Sequence, residues 1–119
     1  RLFYGGGAPY PDLSGEPLVK SDRVQRLVEL PFPPGMVAAA PSGRVFFTYH
    51  MLHKPERFTD ATLFELTPSG PAPFPNRDLQ PEFVGAMGIT VDRQGRLWVV
   101  KPGALAGKRT QLLAIDIDT

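Results

Sequence analysis

Apolar and polar positions along this chain alternate in short runs, and the runs come in two matching sets. Met36 to Ala40 is small, apolar and bounded by turn signals, which predicts a buried inner strand. Pro41-Ser42-Gly43 predicts a tight turn, since glycine adopts positive φ without steric cost. Arg44 to Tyr49 is β-branched and aromatic and predicts the next strand. His50 to Ala61 is a polar connection. Thr62 to Thr67 alternates, with Leu63 and Glu65 against Phe64 and Leu66, and predicts a third strand. Pro68-Ser69-Gly70 turns the chain, and the prolines limit Ala72 to Pro75 to a short edge strand. Arg77 to Glu82 reads as a polar loop, after which the cycle restarts. Phe83 to Asp92 contains a second inner strand centred on Ile89-Thr90-Val91. Gln94-Gly95 turns it, and Arg96 to Val100 follows as a strand. Pro102 to Thr110 is a loop, and Gln111 to Ile117 is a third strand with Leu113, Ile115 and Ile117 on one face.

Two segments lie ahead of these sets. Residues 1–20 carry Gly5-Gly6-Gly7 and prolines at 9, 11 and 17, and predict an irregular lead-in. In Val24 to Leu30, Val24, Leu27 and Val28 fit a helical face, whereas Val24, Val28 and Leu30 fit a strand face. The strand is favoured because the rest of the chain is β, and Pro31, Pro33 and Pro34 stop either element.

The two sets are copies. Gly43-Arg44-Val45-Phe46-Phe47 recurs as Gly95-Arg96-Leu97-Trp98-Val99, 52 residues on. Phe64-Glu65-Leu66-Thr67 matches Ile115-Asp116-Ile117-Asp118 at a shift of 51. A period of this size in an all-β chain points to propeller blades. The expected fold is therefore all-β: about two four-stranded antiparallel meanders of a six-bladed propeller. The lead-in is followed by a first blade region at 21–76 and a second at 77–119, which lacks its last strand. Two blades do not close a ring. The expected partners are the remaining blades of one propeller, or two further copies of the chain in a homotrimer.

Composition agrees with this. Twelve glycines and fourteen prolines suit short strands and many turns. Thirteen basic and twelve acidic residues leave a net charge of +1, with no basic footprint for nucleic acid. The absence of cysteine excludes disulfides, thiolate catalysis and cysteine-ligated metals. No apolar run reaches membrane-spanning length, and no signal peptide is visible.

Phe83 to Asp116 resembles the Yellow / major royal jelly protein family. The residues that carry this are Gly88-Ile89-Thr90-Val91-Asp92, Gly95-Arg96-Leu97-Trp98-Val99-Val100 and Leu112-Leu113-Ala114-Ile115-Asp116. Pro34-Gly35, His50, Glu65-Leu66 and Pro73-Phe74-Pro75-Asn76 are similar too. The lead-in Tyr4-Gly5-Gly6-Gly7 with Pro11-Asp12-Leu13 is similar to bacterial members related to dopachrome tautomerase. The resemblance covers nearly the whole chain and corresponds to the first third of a family member. It implies a six-bladed propeller that is exported or membrane-tethered, and activity of the isomerase or tautomerase kind. Two positions depart from the family pattern: Lys101 stands where an acidic residue is usual, and Met36 where Asn is common. The neighbouring gluconolactonase group places a metal-binding Glu in its first inner strand. Here the stretch is Pro33-Pro34-Gly35-Met36, which disfavours a metal-dependent lactonase.

Propellers bind ligands where long loops surround the channel mouth. The tight turns at Gly43 and Gly95 share one end, so the longer loops share the other. This nominates His50 and Lys101 as candidate catalytic groups, and His53, Arg77, Asp78 and Gln80 as candidate contacts to a small-molecule ligand. Histidine titrates near neutrality and suits general-base work. Lysine suits a ligand carboxylate or acts as a desolvated base. His50-Met51-Leu52-His53 has helical spacing on a strand-to-loop segment and lacks a third ligand, so neither a metal nor another cofactor is expected. Arg44 and Arg96 recur at one blade position, which predicts a structural role in bonding a neighbouring turn. Trp98 occupies the position of Phe46 and is expected in the core between blades, with stacking on an aromatic ligand as the alternative. Asp92 is expected to bond turn amides. The function these features predict is binding of a small organic molecule at the loop face, with or without its conversion.

Overall fold

The computed structural model describes residues 21–49, 59–103 and 109–118. The predicted lead-in lies outside them. Among the described residues, seven strands form two antiparallel meanders, and neither sheet closes on itself. The first sheet runs in chain order through β1 (Pro34–Ala39), β2 (Val45–Tyr49), β3 (Leu63–Thr67) and β4 (Gly70–Pro73). The second runs through β5 (Gly88–Val91), β6 (Arg96–Lys101) and β7 (Gln111–Asp116). No α-helix occurs among the described residues, and none of them forms a helix that could cross a membrane. One short 3-10 turn, Gln80–Phe83, replaces the end of the loop expected before β5.

The duplicated sequence folds in a duplicated way. In the first turn the Ala40 amide donates to Arg44 O and the Gly43 amide to Ala40 O. In the second the Asp92 amide donates to Arg96 O and the Gly95 amide to Asp92 O. Gly43 and Gly95 have φ of 88° and 77°, which side chains rarely adopt. The registers correspond as well: Ala38 faces Phe46 as Thr90 faces Trp98, and Ala39 faces Val45 as Val91 faces Leu97.

Strand alternation gives each sheet two faces. Phe46 and Leu63 point to one side of the first sheet, Phe47 and Phe64 to the other. The Phe46 side, with Ala38, Ala40 and Phe74, packs against Ile89, Leu97, Val99 and Ile117 of the second sheet. Phe46, Leu63, Leu97 and Val99 are fully buried there. The Phe47 side is covered by Phe32, whose ring lies 5.2 Å from that of Phe64 and 6.4 Å from that of Phe47. Arg44 fastens the two sheets together. Its guanidinium grips Glu65 in a bidentate pair, Nε to Oε1 at 2.7 Å and Nη2 to Oε2 at 2.9 Å. Its Nη1 donates to the carbonyl of Ile117 in the other sheet. This is the structural role predicted for the recurrent arginine.

Three sequence expectations need correction. Val24 to Leu30 belongs to neither sheet, and Val24 and Leu27 are exposed. Arg26 interrupts the strand face of this stretch, and Phe32 does the anchoring. The inner strand β1 is not buried along its length: Ala38 alone among its residues is, while Met36 and Val37 are exposed. Trp98 is only half-buried, not a core residue between the two sheets. It lies on the second sheet's far face, where its indole Nε1 donates to Asp92 Oδ2 at 2.7 Å and Arg96 lies over its ring.

Asp92 also accepts from the amides of Gln94 and Arg96 and from Arg96 Nε, so it does bond the turn. Partial burial pushes its carboxyl up. The hydrogen bonds from Trp98, Arg96 and Gln94 outweigh this and lower its pKa to about 2. The unfolded chain, with an ordinary aspartate near 3.9, takes up the proton first as pH falls. The Asp92 contribution to stability is therefore complete above about pH 4 and is lost as pH falls toward 2. In urea titrations across that window, wild type loses stability more steeply than Asp92→Asn. Equal slopes would remove this role. Phe46→Ala leaves a cavity between the sheets and should cost about 4 kcal/mol in the same assay.

Candidate functional site

The strand order sorts the connections by length. Both glycine-arginine turns and the β3–β4 turn lie at one end of the sheets. The connections β2–β3, β4–β5 and β6–β7 all lie at the other, as the sequence predicts. At this loop end a cleft of about 290 Å³ is lined by Asp60, Arg77, Gln80, Pro81 and Val84. Arg77 Nη1 pairs with both carboxylate oxygens of Asp60 at 3.2 Å, and both side chains are largely exposed. Pro81 and Val84 give the cleft an apolar wall beside this ion pair.

Gln80 is buried and makes the cleft possible. Its Oε1 accepts from the amides of Thr62 (3.0 Å) and Leu63 (3.1 Å). Its Nε2 donates to the carbonyls of Phe74 and Asn76, both at 2.9 Å. A glutamine amide has two donors and two acceptor lone pairs, and all four are engaged. Gln80 thus ties the end of one connection to the start of another and has no hydrogen-bonding capacity left for a ligand. The turn that delivers it is local: Asn76 Oδ1 accepts from the Leu79 amide, and Pro81 occupies the first turn of the 3-10 segment.

The other candidates fall as follows. Arg77 lines the cleft. Asp78 is exposed in the turn between Arg77 and Gln80. Lys101 ends β6 at the loop end, with a side chain 18% exposed, and its Nζ lies 3.0 Å from Glu82 Oε2. His50 and His53 lie outside the described residues. No group of three or more potential metal ligands occurs among the described residues. Sequence reading missed Asp60 and Glu82, the partners of Arg77 and Lys101. They are 17 and 19 residues away from those partners, on separate connections, and no periodic signal links them. A second cleft, of about 280 Å³, opens at the turn end between the two repeats, lined by Pro41, Ser42, Gln94, Gly95 and Asp118 among others.

No protein-family model matches the chain, and no curated protein matches it.

Gln80→Glu tests the anchoring role. The glutamate keeps an acceptor for the Thr62 and Leu63 amides but turns an oxygen toward two carbonyls. Burial and those carbonyls favour the protonated form, so the folded-state pKa rises above the ordinary value near 4.3. The variant should be close to wild-type stability below about pH 4 and lose stability as pH rises toward neutrality. A pH-independent loss in urea titrations would contradict this geometry.

Proposed function

We propose that the chain supplies two successive blades of a Yellow-like six-bladed β-propeller and that its loop end binds a small organic molecule. The observation that carries this reading is the convergence of the three long connections on one end, where the cleft opens beside Asp60 and Arg77. Arg77 offers planar donors for a carboxylate or ring oxygen, and Asp60 offers acceptors for an amine or hydroxyl. Pro81 and Val84 suit the apolar body of the same ligand. The ligand class this favours is a compact ring or short chain with a polar head, such as a catechol or an aryl amine. The resemblance carried by the repeated glycine-arginine strands adds export to the proposal. In the enzymatic form of the proposal, His50 moves the proton in a tautomerase-like conversion, with Lys101 as the second candidate catalytic group.

A non-catalytic binding scaffold is the second reading. It is favoured by the engagement of the described candidates: Lys101 is held by Glu82, and Gln80 by four backbone groups. Both readings share the cleft and part at His50.

Calorimetric titration with catechols, aryl amines and lactones tests them. One of the first two classes should bind saturably, and Arg77→Ala should weaken that binding about tenfold through loss of a charge-assisted contact. Absence of saturable binding by either class would overturn the proposal. Turnover that disappears in His50→Ala supports the enzyme, whereas binding without turnover supports the scaffold.

A further inference from the structure

The loop-end cleft is lined by an arginine with most of its donors unused. Arg77 Nη1 spans both oxygens of Asp60, each at 3.2 Å. A guanidinium carries its N–H donors in one plane, and those on Nε and Nη2 of Arg77 have no partner among the described residues. Nε–H and one N–H of Nη2 point the same way. They form the side-on fork of arginine, whose spacing matches the two oxygens of a carboxylate. Asp60 leaves that edge open.

The molecule shows elsewhere what this edge binds. At the seam between the sheets, Arg44 presents Nε and Nη2 to the two oxygens of Glu65, at 2.7 Å and 2.9 Å. These are the short lengths of charge-assisted bonds, whereas both contacts of Arg77 to Asp60 are longer and share one nitrogen. Arg44 has met a carboxylate on its side-on edge, and Arg77 has not. Asp60 holds the other side of the Arg77 guanidinium, which restricts rotation of its plane and presents the fork already oriented. Both side chains are largely exposed, so water screens Asp60 from an anion on the opposite edge. Gln80 and Lys101 do not compete for that anion, since Gln80 is saturated by backbone groups and Lys101 is engaged by Glu82. Pro81 and Val84 line the same cleft, and Val84 is 53% exposed. An acid seated on the fork therefore has an apolar wall for its body.

We propose that the ligand of this cleft is a carboxylic acid with a compact apolar body. Its carboxylate is held side-on by Nε and Nη2 of Arg77, as Glu65 is held by Arg44, while Asp60 stays on Nη1. The proposal rests on the cleft being a small-molecule site, and it names the head group that the molecule carries.

Calorimetric titration with protocatechuate (a catechol carrying a carboxylate) and with its primary amide isolates the head group, since the two probes share the ring and both hydroxyls. At neutral pH the acid should bind the wild-type chain about tenfold more tightly than the amide. Arg77→Lys, at an exposed position, keeps the charge and removes the fork. It should bring the two probes to within about twofold of each other. The ratio between the probes is the readout, so a general weakening of binding does not imitate this result. Equal binding of acid and amide by wild type overturns the proposal and leaves the cleft as a catechol site. An acid preference that survives undiminished in Arg77→Lys overturns it as well, because a point charge then suffices. If neither probe nor catechol itself binds saturably, the proposal falls together with the cleft as a small-molecule site.

Discussion

Phe46 and Phe47 are neighbours in one strand, so they leave opposite faces of the sheet, and both are buried. A sheet with large apolar groups on two sides is stable only when something covers each side. This constraint organises the rest of the chain. The second sheet covers one side of the first, and Phe32 at the end of a proline-rich segment covers the other. Two-faced sheets therefore stack in series, each a layer in a pile rather than half of a closed sandwich. Arg44 supplies the polar part of that seam. Its charge is matched by Glu65 within its own sheet, and its remaining donor reaches the backbone of the next. Pairing of this kind keeps a half-buried guanidinium satisfied while fixing how the sheets sit on each other.

The two ends of the stack have separate tasks. The turn end is built from the features that repeat, a left-handed glycine followed by an arginine. The loop end is built from features that do not repeat, and the cleft is there. Gln80 separates structural from chemical work within that end. It holds two connections by four backbone bonds, which leaves Asp60 and Arg77 at the rim to meet solvent or ligand.

The sequence made the strands and their pairing legible because turn glycines, β-branched runs and the period agree across both copies. Local signals of this kind survive into the structure, since each turn depends on a few adjacent residues. What escaped was whatever depends on partners far along the chain. Val24 to Leu30 had enough apolar residues for a strand, but it pairs with neither sheet. Trp98 matched Phe46 in position, yet the same position is buried in one repeat and half-exposed in the other, because burial depends on the layer that follows. Gln80 carried a polar side chain at the right end, which nominated it for ligand contact. Its burial under two connections, with backbone groups on all sides, is a tertiary fact with no counterpart in spacing. The cleft was legible as an end of the molecule, but the pairing of Arg77 with Asp60 was not.

The four bonds of Gln80 also bear on how this end of the molecule opens. Proteins exchange their amide hydrogens through local openings that spare the core, and loops ordinarily open first. Here the amides of Thr62 and Leu63 and the carbonyls of Phe74 and Asn76 meet at one side chain. Neither connection can peel away without releasing the other and exposing the start of β3. The two segments that meet at Gln80 are thereby joined to the first sheet as one cooperative unit. Its hydrogen exchange is set by the stability of that sheet rather than by the length of its loops.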